Sequence, residues 1–302
     1  MASHDTSLSS PLRAVRTHPV AVFLLVTFAY SWSVWTIAYL LAGSDASTLW
    51  TIIGVWGPLI AGAVVTYDSG GNVRRWAGQA TEWRVTPRWY LVTICLPVLL
   101  GEASTVVYWL NGVPLSFQFD SPAAVTGFVL NVLLVLLIAG GLEEFGWRGF
   151  AILRLQAEYS ALTAGLTVGV AWALWHLPFV LFGWVTGQGP LPLYMIWIVG
   201  ASLVLTWLYN STGGSVLLCM LFHAVNNASG LFAPQGDVPG SVELLGSVAD
   251  IGLWWLLALG LVALYGGEHL AASPGPAPTA VGELSRRSTM SGDGTAAESD
   301  SS

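Results

Sequence analysis

Charge is scarce in this sequence, and one basic residue type is missing altogether. Only 9% of the 302 residues are charged, and the ten basic residues are all arginine, with no lysine. Soluble domains carry about 25% charged residues, so this composition excludes an ordinary soluble protein. The formal net charge of -7 and the lack of a basic stripe argue against nucleic acid as a partner.

Cysteine and phosphate-binding motifs are equally rare. Cys95 and Cys219 both lie inside apolar runs, so they predict buried small hydrophobic residues rather than a disulfide framework. No glycine-rich loop with a following lysine is present, so ATP-driven chemistry has no support. Arg13 and Arg16 precede an apolar run that is too long for a signal peptide, which predicts a retained first membrane span.

Apolar residues are abundant instead, at 54% of the chain with 16 tryptophans. Runs of about 20 apolar residues can cross a bilayer as helices. They predict an all-α, polytopic transmembrane helix bundle of about eight spans. The expected parts are a disordered segment at 1–15, a membrane domain at 16–270 and a disordered tail at 271–302. The eight predicted spans are 19–43, 49–67, 89–111, 122–142, 161–183, 191–209, 214–233 and 249–267.

The arginines predict the orientation of these spans. With both termini in the cytoplasm, all ten arginines fall on the cytoplasmic side, as the positive-inside rule requires. Arg148 and Arg154 follow the fourth span in this arrangement. We therefore expect a multi-pass protein of the plasma (inner) membrane with a site that faces the cytoplasm.

Ionisable residues near the end of span four form the first candidate site. If the helix continues, Glu144 and Arg148 are four residues apart and can pair on one face. Glu143 then points about 100° away and is available for another task. The simpler interpretation is an ion pair that ends the span at the lipid headgroups.

Two further polar motifs lie inside predicted spans. His176 follows Trp172 by four residues in span five, and His223 and Asn227 share one helical face in span seven. Structural interpretations of these motifs are a hydrogen-bonded core histidine and an interhelical hydrogen-bond pair. Glu102 stands alone in span three as either a cavity residue or a structural contact. A carboxylate, two imidazoles and a carboxamide together are suited to activating water and stabilising an oxyanion.

These three motifs, in this order on successive helices, resemble the membrane family of type II CAAX prenyl endopeptidases and bacteriocin-processing or immunity proteins, also called the CPBP or Abi family. The resemblance covers about residues 125–230. It implies an intramembrane endopeptidase that acts on a membrane-associated peptide or prenylated protein within the lipid bilayer. The implied roles are water activation by Glu143 and His176, oxyanion stabilisation by His223 and Asn227, and support by Glu144, Arg148 and Trp172. At Trp172 the family usually has Phe, so the bulkier ring affects the pocket.

The resemblance implies that no cofactor or metal is required. A zinc-dependent version is the nearest competing hypothesis, with Glu143, His176 and His223 as ligands. Three further hypotheses remain open at this stage: a thiol protease that uses Cys219, a proton-relaying transporter, and a non-catalytic membrane-embedded binding or immunity protein.

Overall fold

The structure is a computed structural model that describes residues 15–45, 48–184, 190–228 and 230–272. Across these residues the fold is an all-α bundle, as predicted, and it also contains one short two-stranded ribbon that was not predicted. The helices are α1 (Pro19–Ala42), α2 (Thr48–Val55), α3 (Gly57–Asp68), α4 (Val73–Gly78), α5 (Pro87–Leu100), α6 (Ala103–Leu110), α7 (Pro122–Leu137), α8 (Glu143–Gly146), α9 (Leu153–Leu155), α10 (Ala161–Trp175), α11 (Leu177–Leu181), α12 (Leu191–Ser211), α13 (Val216–Ala228) and α14 (Gly240–Tyr265). A π-helix, Trp147–Ile152, joins α8 to α9, and β1 (Leu115–Phe117) pairs with β2 (Phe232–Pro234).

Seven helical stretches in the described part of the chain are long and apolar enough to cross a membrane. The seventh predicted span, 214–233, is different: helix α13 has only 13 residues, about 20 Å at 1.5 Å per residue. The prediction of that span's length is therefore wrong. The seven long stretches are Pro19–Asp45, Thr48–Asp68, Pro87–Leu110, Pro122–Leu155, Ala161–Leu181, Leu191–Ser211 and Gly240–Tyr265.

Helix α13 nevertheless leads the chain from one end of the bundle to the other. At one end, β2 follows α13 and pairs antiparallel with β1, with Phe117 opposite Phe232. At the other end, Asn210 donates a hydrogen bond to the carbonyl of His269, and the amide of Ala161 donates to the carbonyl of Glu268. The start of α13 lies close to Asn210 in sequence, so the chain passes the bundle at this position too. The start of α10 lies at this same end of the bundle, beside the residues that follow α14. Helix α10 runs from there into the bundle and ends next to His176.

The predicted end of span four at residue 142 is wrong. Helix α7 ends at Leu137, and a turn at Gly140–Leu142 leads into the continuation that reaches Leu155. The indole of Trp56 donates a 2.7 Å hydrogen bond to the carbonyl of Ile138, which satisfies a backbone acceptor that the break frees. A side chain on Gly141 would meet the Leu136 carbonyl at 2.7 Å, so the turn needs glycine there.

The segment after this turn is buried inside the bundle. Glu143, Glu144 and Arg148 are 3%, 0% and 0% exposed. Phe23 of α1 packs against both Trp147 and Phe150, with ring centroids 5.6 and 4.9 Å apart. The apolar packing of the π-helix carries the charged motif into the bundle interior, and π-helical turns are common at functional sites.

The predicted terminal segments lie almost wholly outside the described residues. Of 1–15 only Val15 is described, and of 271–302 only Ala271 and Ala272 are described. These last two residues belong to the packed part of the chain, where the Ala272 amide donates to the Ser211 hydroxyl.

Candidate active site

A cavity of about 520 Å³ inside the bundle contains all four side chains predicted to be catalytic. Helix α8 supplies Glu143, the junction of α10 and α11 supplies His176, and α13 supplies His223 and Asn227. Most of the remaining lining is apolar and comes from α2, α7, α12, α13 and α14. Residues distant in sequence therefore meet in one partly enclosed space.

Glu143 is held by an indole that the sequence motif marked only as an aromatic ring. The Trp172 Nε1 group donates a 2.8 Å hydrogen bond to Glu143 Oε2. Trp172 is 4% exposed, and its ring lies 5.6 Å from the His176 ring and 5.5 Å from the His223 ring. Trp172 is therefore the central packing residue of the site as well as a hydrogen-bond donor to the carboxylate.

Glu144 is engaged by two different side chains. Arg148 Nη1 donates to both carboxylate oxygens, at 3.1 and 2.9 Å, so the predicted pair is confirmed. His223 Nδ1 lies 2.8 Å from Glu144 Oε1. Arg148 also sits over the Trp172 ring, 4.7 Å from its centroid, an arrangement that favours a cation. The cation, carboxylate and imidazole form a buried network next to Glu143.

His176 lies where α10 ends and α11 begins. Pro178 in the first turn of α11 has no amide hydrogen, so the helix cannot continue with regular hydrogen bonds through this point. The His176 Nδ1 atom lies 2.8 Å from the Trp172 carbonyl. A carbonyl only accepts, so Nδ1 carries the proton and Nε2 of a neutral ring is left as an acceptor.

Two polar side-chain atoms converge beside Gly140. A Cβ atom built on Gly140 would lie 2.8 Å from His223 Nε2 and 3.1 Å from Asn227 Nδ2. Gly140 itself is buried and lines the cavity. The missing side chain leaves a position close to both nitrogens, at the separation expected between hydrogen-bond donors and an oxyanion.

Two acidic residues outside the motifs differ in their position relative to the cavity. Glu102, the isolated residue of span three, accepts a hydrogen bond from the Leu231 amide and is not among the described residues lining the cavity. Asp250 does line it. Sequence reasoning missed Asp250 although the signal was the same, a lone carboxylate in an apolar run. Gly140 gave no signal, because a glycine beside an imidazole is visible only in three dimensions.

The zinc and thiol hypotheses find less support in the geometry. Among the described residues, no group of three or more His, Cys, Asp and Glu side chains is arranged to hold a metal ion. Cys219 is buried, with Sγ 3.9 Å from the Leu205 carbonyl, and does not belong to the described cavity lining.

The fold and cavity together define a class: an integral, multi-pass membrane protein with a carboxylate, two imidazoles and a carboxamide in an internal cavity. Residues 125–229 match the family model described as Type II CAAX prenyl endopeptidase Rce1-like. The chain is also 27% identical over 225 residues to CAAX prenyl protease 2 from Methanococcus maripaludis, covering 68% of this chain and 82% of that protein. Over the region that carries the motifs, the chain is therefore similar to Rce1-like membrane proteases, and the two matches support a hydrolase. The matched region contains every motif residue described above.

Proposed function

We propose that the protein is an intramembrane endopeptidase in which Glu143 and His176 activate a water molecule for attack on a peptide carbonyl. The similarity to the family model and to the Methanococcus maripaludis protein supports the endopeptidase activity. The residue roles in this proposal are supported by one observation: Glu143, His176, His223 and Asn227 line the same cavity. Each of these side chains matches one requirement of amide hydrolysis.

The first step uses the acceptors of the site. Glu143 removes a proton from water, while Nε2 of neutral His176 accepts the second water hydrogen and orients the oxygen. The water oxygen bonds to the carbonyl carbon, and the carbonyl π electrons move to oxygen. The product is a tetrahedral intermediate with one negative charge and a protonated Glu143.

The second step uses the donors. Asn227 Nδ2 and His223 Nε2 hydrogen-bond the oxyanion at the position beside Gly140. Because His223 Nδ1 donates to Glu144, a proton on Nε2 makes the ring a cation, which the Glu144 carboxylate stabilises. Collapse of the intermediate breaks the carbon–nitrogen bond, and Glu143 delivers its proton to the leaving nitrogen. One water and one peptide bond yield a carboxylic acid and an amine.

The substrate in this proposal is a membrane-associated protein or peptide. The name of the Methanococcus maripaludis relative makes a prenylated CAAX peptide the first candidate. The apolar lining of the cavity is compatible with such a substrate. We further propose the plasma membrane as its location, with the site facing the cytoplasm, from the distribution of the arginines.

The decisive experiment compares the purified protein with its Glu143→Gln variant on a panel of prenylated and unmodified peptides, read by mass spectrometry. We expect cleavage by the parent protein and a loss of about 10²- to 10⁴-fold in the variant, because a general base contributes on that order. Glu158 is exposed, and Glu158→Gln is the matched control that retains activity.

Two results would contradict the proposal in different ways. Full activity of Glu143→Gln would remove Glu143 from the mechanism. Cleavage of no peptide by the parent protein would favour a non-catalytic binding or immunity protein.

A further inference from the structure

Asp250 places a carboxylate on the cavity wall away from the helices that carry the catalytic motifs. It lies on α14 and is partly exposed within the structure. Its Oδ1 atom accepts a 2.8 Å hydrogen bond from the Ser104 amide at the start of α6. That bond fixes the side chain but provides no positive side chain as a partner. A carboxylate in such a setting is costly and is a functional candidate by default.

Aromatic rings continue along the same cavity wall as a chain of neighbouring pairs. Trp254, one helical turn after Asp250, lies on the same face of α14. The chain begins at His176 and ends at Phe222, which precedes His223 in sequence. Its pairs, by ring-centroid distance, are His176 and Tyr194 at 5.9 Å, Tyr194 and Trp197 at 5.9 Å, Trp197 and Trp254 at 5.5 Å, and Trp254 and Phe222 at 6.1 Å. All of these residues line the cavity.

Acidic side chains outnumber unpaired cations on this wall. The described residues that line the cavity include Glu143 and Asp250 but no arginine, and the cation proposed at His223 is paired with Glu144. Aromatic faces attract cations, and they do so more strongly where water is excluded. A nearby carboxylate adds to that attraction and repels an acidic group. An ammonium or guanidinium group thus complements this wall, whereas a carboxylate does not.

We propose that Asp250 and the aromatic wall formed by Tyr194, Trp197, Phe222 and Trp254 are a subsite for a lysine or arginine side chain of the substrate, close to the scissile bond. This inference rests on the proposed endopeptidase function and specifies its substrate class. Asp250 selects the substrate and takes no part in bond cleavage. Preferred peptides therefore carry a basic residue at one defined position relative to the cleaved bond.

The test uses the full-length protein and peptides that differ at a single position. Each peptide carries lysine, norleucine or glutamate at the varied position. Successive sets of peptides place this position one residue further along, on both sides of the cleaved bond. Asp250→Asn is the informative variant, because the asparagine oxygen can still accept from the Ser104 amide. Glu102→Gln is the matched control, since Glu102 holds the Leu231 amide and is not among the described lining residues.

At one position we expect lysine to exceed norleucine by about tenfold in kcat/KM, and glutamate to be the poorest substrate, because one well-placed cation contact of about 1–2 kcal/mol has that effect. Asp250→Asn lowers this lysine-to-norleucine ratio of kcat/KM to about one, and the norleucine peptide measures any general loss of cleavage in the variant. Glu102→Gln leaves the ratio as in the parent protein. Retention of a single gel-filtration peak shows that Asp250→Asn folds.

Several outcomes would overturn the subsite. They are equal use of lysine and norleucine at every position, an undiminished ratio in Asp250→Asn, and an equal loss of the ratio in Glu102→Gln. If no peptide is cleaved, the proposed function fails by itself. Equilibrium binding of the lysine and norleucine peptides to the Glu143→Gln variant, with and without Asp250→Asn, then decides the subsite separately.

Discussion

The bundle holds two regions in which carboxylates occur in pairs, and they differ in what satisfies the oxygen atoms. Glu143 and Glu144 are bonded by side chains: an indole, a guanidinium and an imidazole. Glu102 and Asp250 accept instead from backbone amides, of Leu231 and Ser104. The first region can exchange protons and adjust its charge, because its partners are ionisable or polar side chains. The second region fixes a loop and a helix start.

Residue type alone does not reveal the role of a membrane carboxylate. Backbone amides neutralise part of a carboxylate's charge without offering a proton that can be passed on. Side-chain partners on neighbouring helices create a network that can both orient a base and stabilise a developing charge. Substitutions in the two regions should therefore have effects of different kinds and sizes.

Arg148→Met should have the largest effect, on stability. Arg148 is fully buried and gives two hydrogen bonds to Glu144, so its removal leaves a buried carboxylate with reduced compensation. We expect a loss of about 3–5 kcal/mol, measured by denaturant unfolding in detergent. Arg84 is exposed, and Arg84→Met should change stability by less than about 0.5 kcal/mol. Equal stability of the two variants would show that the buried pair is unimportant.

Gly140→Ala should damage catalysis with little effect on folding. The new methyl group occupies the position beside His223 Nε2 and Asn227 Nδ2, where we place the oxyanion. We expect kcat to fall by about 10²- to 10³-fold, the effect of losing an oxyanion donor, while KM changes little. Gly127 has open space around it, so Gly127→Ala is the matched control. A normal kcat in Gly140→Ala would place the oxyanion elsewhere.

Trp172→Phe separates the ring from its hydrogen bond. Phenylalanine keeps an aromatic ring below Arg148 but cannot donate to Glu143 Oε2. Hydrogen bonds to charged groups contribute about 1.5–3 kcal/mol, so kcat should fall by about 10- to 100-fold. Trp83 is 60% exposed, and Trp83→Phe should have parent activity. Unchanged kcat in Trp172→Phe would mean that the indole only fills space.

Glu102→Gln should have the smallest effect. The glutamine oxygen can replace the carboxylate as acceptor for the Leu231 amide, so only the charge is lost. We expect a stability change of about 1 kcal/mol or less and normal cleavage of a neutral peptide, measured by unfolding and by mass spectrometry. A large loss of cleavage would assign this second region a direct part in the reaction.

Local spacing explains which features could be predicted from the sequence. The Glu144–Arg148 pair follows from a four-residue separation, and the all-α class follows from the long apolar runs. The end of span four could not be predicted, because residues 143–155 are ionisable and glycine-containing in sequence yet are buried by packing against α1 and α3. The Trp172–Glu143 bond joins residues 29 positions apart, and the packing of the π-helix against α10 brings them together.

The short helix α13 has a consequence for the supply of water. A hydrocarbon core is about 30 Å thick, whereas 13 residues of helix cover about 20 Å. Most of α13 is buried by neighbouring helices, so lipid does not compensate for this shortfall, and non-helical backbone takes up part of the path. His223 lies five residues from the end of α13, about 8 Å along its axis. Backbone polar groups at membrane depth persist only in protein or beside water, so non-helical backbone this close to His223 is compatible with entry of the water that each hydrolysis consumes.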